Sequence, residues 1–155
     1  MGMGMLKELD IPPLWLALAL AASWGLSQIW SLAGLAWIGL GLIGLGLGIM
    51  ALAVGQMLLG RTTFVPRRDP QALVTGGVFG LSRNPIYLAD AVVLTGAILF
   101  WGAVLALPLI PAFVALITQR YIHDEETRLR AGFGAQADAY FAKVPRWIGR
   151  ALDGY

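Results

Sequence analysis

Between Ile11 and Gly60 the chain has no Lys, Arg, Asp, Glu or His, and this run of 50 residues limits the fold more than any other feature. As one helix it would extend about 75 Å, more than twice a hydrocarbon core of roughly 30 Å. It must therefore fold back once. Ser31-Leu32-Ala33-Gly34 is the natural break, which predicts one span near 12–31 and another near 35–59. A signal peptide fits poorly, because the apolar region is too long and its only preceding cation, Lys7, sits beside Glu8 and Asp10. The start Met-Gly-Met-Gly-Met-Leu lacks the Ser or Thr of a myristoylation site.

A second apolar stretch, Pro85 to Gln119, is interrupted by one charge, Asp90, and is long enough for a tight hairpin. A turn at Trp101-Gly102 predicts spans near 85–101 and 103–121, with Pro108 and Pro111 bending the latter. A break at Leu107-Pro108 fits the apolar count almost as well. Every Lys and Arg falls at Lys7, in the 61–84 connector (Arg61, Arg67, Arg68, Arg83) or from Arg120 onward. By the positive-inside rule these three regions face the cytoplasm, and the two opposite turns carry no charge. Composition agrees: 58% of the residues are hydrophobic and 13% charged, against about 25% charged in soluble domains, which excludes an ordinary soluble globule and a disordered chain. The expected fold is an all-α integral membrane protein, one membrane domain over 1–155. It has four transmembrane helices, a cytoplasmic connector, a C-terminal cytoplasmic helix and both termini inside.

The absence of cysteine excludes disulfides, thiolate metal sites and a cysteine nucleophile. Glycines crowd the second span, and Gly44/Gly48 form a GxxxG pair continued by Ala51 and Gly55. This face predicts close packing within the bundle, with a homodimer through it as the second reading.

Two polar segments, 73–87 and 120–148, carry the chemistry. The first contains Gly76-Gly77-Val78-Phe79-Gly80 and ends in Arg83-Asn84-Pro85-Ile86-Tyr87. Asn84 suits an N-cap and Pro85 the first helical position. The free N–H groups and positive dipole of that helix start, with Arg83 beside them, suit a carboxylate or phosphate. Asp90, one turn beyond Tyr87, lies just inside the hydrocarbon, where an ionisable group marks a functional site by default. It should face the bundle or a polar cavity, or pair with Arg83. The second segment begins Arg120-Tyr121-Ile122-His123-Asp124-Glu125-Glu126-Thr127-Arg128. As plain helix surface, Asp124/Arg128 and Glu126/Arg130 would form i,i+4 pairs. A di-iron bundle site would need a second His, and this chain has one. No metal is expected.

Together the segments resemble the integral-membrane methyltransferases that include isoprenylcysteine carboxyl methyltransferase and the small phospholipid methyltransferases. The residues that carry the resemblance are Gly76-Gly77-Val78-Phe79, Arg83-Asn84-Pro85-Ile86-Tyr87, then Glu125-Glu126 with Leu129, Phe133-Gly134, Tyr140 and Val144-Pro145-Arg146. They span about 62–148. Asn84 stands where many members have His, and Ala137 where a first tail tyrosine is expected. The resemblance implies S-adenosylmethionine as methyl donor, bound by the two segments on the cytoplasmic side through Gly76, Gly77, Val78, Phe79, Arg83, Asn84, Pro85, Tyr87, His123, Glu125 and Glu126. It also implies a lipid or lipophilic acceptor entering from the bilayer.

The residue chemistry fits that implication. Arg83 with the helix start can serve the donor carboxylate, and Glu125 or Glu126 its ammonium or a ribose hydroxyl. Tyr87 and Phe79 offer faces to the adenine or the sulfonium methyl. Arg83, Glu126 and Asp90 are the candidate catalytic residues. An acceptor amine must lose a proton, which makes Glu126, Asp90 or His123 candidate bases, whereas a carboxylate needs none. A carboxylate, a lipid amine, and a small thiol or hydroxyl all remain open as acceptors. The competing classes are a structural membrane subunit and a small transporter. Nucleic-acid binding has no support.

Overall fold

The computed structural model describes residues 10–62 and 71–149. Lys7, Arg67 and Arg68, on which the charge placement partly rests, lie outside the described residues, as does the chain start. The fold is all-helical, with no strand among the described residues. Helix α1 is Pro12–Ile29, α2 is Ala36–Leu59 and α3 is Pro85–Phe100. Then come α4, Leu109–Ile117, a π-helical turn, Thr118–Ile122, α5, His123–Phe133, and α6, Ala135–Lys143. Val104–Phe133 is one helical run of 30 residues. Pro108 is the N-cap of α4 and Pro111 sits in its first turn, where the run passes from 3-10 to α geometry. Two helices, α2 and the Val104–Phe133 run, are long and apolar enough to cross a membrane; α3 is a shorter apolar helix.

The α1–α2 turn and the turn after α3 meet at one end of the bundle. The Leu32 N–H donates to the Gly102 carbonyl at 2.9 Å. Gly102 has φ +62°, and an added Cβ would run into the Leu32 backbone. Only glycine fits both demands.

Helices α2 and α3 pack backbone to backbone through Gly39, Gly46 and Gly96. A Cβ at Gly39 would lie 2.5 Å from the Gly96 carbonyl oxygen, and one at Gly46 would lie 2.7 Å from Val93 Cγ2. Gly39, Gly46 and Ala53 are the buried residues of α2; positions seven apart drift only about 20° around a helix, so they form one line. The expected Gly44/Gly48 packing is therefore not formed. Each of these residues is two positions from Gly46, about 160° around the helix, and a Cβ at either would meet nothing within 4 Å.

The core joins Tyr87, Ala91, Leu94 and Ile98 of α3 to Phe113 and Ile117 of α4 and to Tyr121 and Ile122 of the π turn, under Trp15, Leu16 and Leu20 of α1. A smaller cluster of Ala137, Tyr140, Phe141 and Val144 packs against Leu73, Leu129 and Phe133. That cluster holds the tail against the connector.

Candidate active site

At the end of the bundle opposite the two uncharged turns, a 3-10 turn, Gly77–Gly80, leads into α3. Gln56, near the end of α2, accepts the Val78 N–H through Oε1 at 3.2 Å. Gly77 has φ +58°, and a Cβ there would overlap the Gln56 carboxamide. The left-handed φ is what calls for glycine here, since the Gln56 side chain could move aside. Gly76 and Gly77 are exposed and Val78 is half-buried. Phe79 is buried at 8% exposure, so its ring packs instead of offering an open face. The Phe79 carbonyl accepts the Tyr140 hydroxyl at 2.6 Å. Burial raises the Tyr140 hydroxyl pKa, opposed by the Arg83 charge.

The tail returns to the start of α3. The Arg83 N–H donates to the Pro145 carbonyl at 2.9 Å, and Asn84 Nδ2 donates to the Arg146 carbonyl at 2.9 Å. Ser82 Oγ donates to the same carbonyl at 3.2 Å. Asn84 occupies the N-cap position but makes no side-chain cap. This corrects the capping expectation: the carboxamide is turned toward Arg146.

Glu126 is the centre of the assembly. It is 5% exposed and takes both ends of the Arg146 guanidinium, Nε on Oε1 and Nη2 on Oε2, each at 2.9 Å. Arg83 Nη1 lies 3.5 Å from Oε1. The expected Glu126/Arg130 surface pair is not formed, because Arg146 of the folded-back tail takes both Glu126 oxygens. Arg130 instead meets Asp138 at 3.2 Å. Asp124 and Arg128 form no ion pair either. Arg83 is buried at 7% exposure rather than reaching for water. Its guanidinium lies 4.7 Å from the Phe141 ring centroid, and that of Arg130 lies 4.9 Å from the same ring.

Glu125 faces a different neighbourhood. The Tyr87 hydroxyl donates to its Oε1 at 2.5 Å. Burial raises the Glu125 carboxyl pKa above the ordinary value, opposed by the Tyr87 hydrogen bond and the Arg128 charge. The Tyr87 and Tyr121 rings are 6.4 Å apart. The Tyr121 hydroxyl donates to Asp10 at 2.6 Å, which also accepts Trp15 Nε1 at 2.9 Å and pairs with Arg120 at 2.8 Å. The π turn inserts one residue, rotating the remainder of the helix by about 100°, and Trp147 Nε1 braces it by donating to Thr118 Oγ1 at 3.0 Å.

The structure therefore brings together Arg83, Asn84, Pro85, Tyr87, Glu125 and Glu126. Asp90 is buried one turn deeper and does not pair with Arg83. His123 is exposed, and its side chain makes no hydrogen bond among the described residues. Sequence reasoning missed Gln56 and Asp10 as parts of this end; it placed Tyr121, Phe141 and Arg146 in the segment 120–148 but gave them no individual role. Gln56 could have been noticed as the one carboxamide in an otherwise apolar helix.

The profile of a protein family described as phospholipid methyltransferase matches residues 16–136. The match runs from α1 into α6, includes both glutamates, and stops before Arg146. Comparison with curated proteins gives no match.

Proposed function

Because the chain belongs to the phospholipid methyltransferase family, we propose that it is an S-adenosylmethionine-dependent membrane methyltransferase acting on a lipid or other lipophilic acceptor. The observation that carries this is the meeting of two segments about forty residues apart, through Arg83 with Glu126 and Tyr87 with Glu125. The donor is a zwitterion with an added sulfonium, so it needs cationic and anionic partners close together, and this end provides both.

The residues present suit such a group. Helix α3 begins without a side-chain cap, so its first N–H groups remain available to a carboxylate. Arg83 and Arg146 add guanidinium groups beside them. Glu125, oriented by Tyr87, suits an ammonium or a ribose hydroxyl. At Gly76 an added Cβ would meet nothing within 4 Å, which leaves room for close approach to the backbone. When bound, the donor supplies an activated methyl group. The chain's own part is to orient both reactants and exclude water.

In this reading the helices form four spans with the polar end and both termini in the cytoplasm. The exposed Trp30 and Trp37 flank the opposite turn, as interfacial anchors do. Reporter fusions at residue 155 and near Gly102 should report cytoplasmic and external locations respectively; an external C-terminus removes this topology.

The function is tested by calorimetry of the detergent-purified protein with S-adenosylmethionine and S-adenosylhomocysteine. Both should bind. Glu125→Gln should weaken binding by about tenfold or more, as expected for a charged hydrogen bond, while exposed His123→Ala should stay within about twofold. Folded protein that binds neither compound overturns the proposal. Mass spectrometry of lipid extract incubated with isotopically labelled donor identifies the acceptor.

A further inference from the structure

Apart from Trp37 near its other end, Gln56 is the one residue of α2 whose side chain carries oxygen or nitrogen. Helices α2 and α3 run antiparallel: Gly39 lies against Phe100 and Gly96, and Gly46 against Val93 and Ala89. Buried Ala53 continues that line, and the same progression brings it level with the start of α3 at Pro85. Gln56, three residues further and on the same face, therefore lies beyond the start of α3 and meets the turn that precedes it.

The 3-10 turn Gly77–Gly80 has no side-chain cap of its own. Its N-cap position is held by Gly76, where Ser, Thr, Asp or Asn would ordinarily accept one of the first N–H groups. Gln56 Oε1 takes that part from another helix, accepting the Val78 N–H at 3.2 Å from 22 residues away. The carboxamide lies so close to Gly77 that an added Cβ there would overlap it. From the tail, the Tyr140 hydroxyl donates to the Phe79 carbonyl at 2.6 Å. The turn is thus held by one acceptor and one donor from outside, and so short a 3-10 segment has little bonding of its own with which to keep its shape. The Gln56 contact lies apart from the packing of the bundle. Neither core cluster includes a residue of 76–80, Gly76 and Gly77 are exposed, and Gln56 is half-buried.

We propose that Gln56 is a positioning residue for the methyl donor: by capping the turn from α2, it fixes the backbone of Gly76, Gly77, Val78 and Phe79 in the shape that receives the donor. This rests on the methyltransferase reading, which sets the donor against that turn, and it adds a residue outside both polar segments. Loss of the cap then costs binding rather than folding. An uncapped turn samples other conformations, and a ligand that must restrict them binds more weakly.

The test uses S-adenosylhomocysteine and needs no turnover. Gln56→Met keeps the length of the side chain and removes the acceptor, whereas Gln56→Glu keeps a carboxyl oxygen that accepts in either protonation state. Calorimetry in detergent should show Gln56→Met binding about fivefold or more weakly than wild type, the scale of a lost helix cap. Gln56→Glu should bind within about twofold of wild type, and both variants should melt within about 2 °C of it. In ligand-free protein carrying isotopically labelled valine, the Val78 amide should exchange slowly in wild type and fast in Gln56→Met. The inference is overturned if Gln56→Met binds like wild type, if Gln56→Glu binds as weakly as Gln56→Met, or if Val78 exchanges fast in wild type. A Gln56→Met variant that melts well below wild type or does not fold makes Gln56 a structural residue and equally overturns it. Wild type that binds S-adenosylhomocysteine while Gln56→Met binds it equally defeats this inference alone; folded wild type that binds none defeats the methyltransferase reading and this inference with it.

Discussion

Glu126→Ala is expected to lower the stability of the folded protein by about 3 kcal/mol, because removing one member of a buried ion pair leaves its partner charged and desolvated. Glu126 lies against two guanidinium groups. The Arg83 side chain is 3% exposed and that of Arg146 21%, so water can reach Arg146 only in part and Arg83 hardly at all. The loss also releases the tail. Arg146 is the end of the segment whose carbonyls accept Ser82 Oγ and Asn84 Nδ2, and that segment keeps the start of α3 in place. Donor affinity should therefore fall together with stability, even though Glu126 itself is saturated by arginine. The contrast is Arg130→Ala. Arg130 and Asp138 are 55% and 66% exposed, and breaking so solvated a pair should cost well under about 1 kcal/mol. Chemical denaturation in detergent measures both variants. If Glu126→Ala unfolds at the wild-type midpoint, the arginine clasp does not form in solution. A Glu126→Leu/Arg146→Leu double variant should recover only part of the loss, since it removes the Arg146 charge that has lost Glu126 while the more buried Arg83 keeps its own.

Gly39→Ala should be as damaging, by about 3 kcal/mol, through overpacking. The added methyl would lie 2.5 Å from the Gly96 carbonyl oxygen and would also overlap the Phe100 backbone. A flexible side chain could move aside; two helix backbones cannot, so α2 and α3 must separate along their length. Gly96→Ala should behave alike, since its Cβ would lie 2.7 Å from the Gly39 carbonyl oxygen. Gly44→Ala meets nothing and should be neutral or stabilising by up to about 1 kcal/mol, the usual helix preference for alanine over glycine. The three variants share one chemical change in two helices of the same bundle. Thermal melting of detergent-purified protein that ranks all three equally would contradict the backbone contact between α2 and α3.

The site shows how far residue types alone can be read. Arg83, Tyr87, Glu125 and Glu126 stand out in the sequence because charge and hydrogen-bonding capacity are scarce in so apolar a chain. Their partners do not stand out. Glu126 has Arg130 one turn away, and helix geometry alone would pair them. Both lie in α5 beyond the π turn, so their spacing is regular, yet Arg146, twenty residues on, takes the glutamate and Asp138 takes Arg130. Asn84 is a good N-cap by residue type, yet the Arg146 carbonyl claims its amide. In each case a local rule loses to a group brought in from a distance.

The helical character of the chain and its family signature are set by the sequence itself. An uncharged run of 50 residues has too much apolar length for one crossing, and hydrogen bonding of its backbone without water requires helix. The ordered motifs at either end of the second apolar stretch survive because they are local strings of residues. Tertiary structure alone decided which glycines pack, Gly39, Gly46 and Gly96 rather than Gly44 and Gly48. It also separated the two adjacent glutamates, one clasped by arginines and the other held by a tyrosine, and left Asp90 without a partner among the described residues. These outcomes depend on helix rotation and on approach between segments distant in sequence, and a rotation of one residue, about 100°, is enough to exchange one neighbour for another.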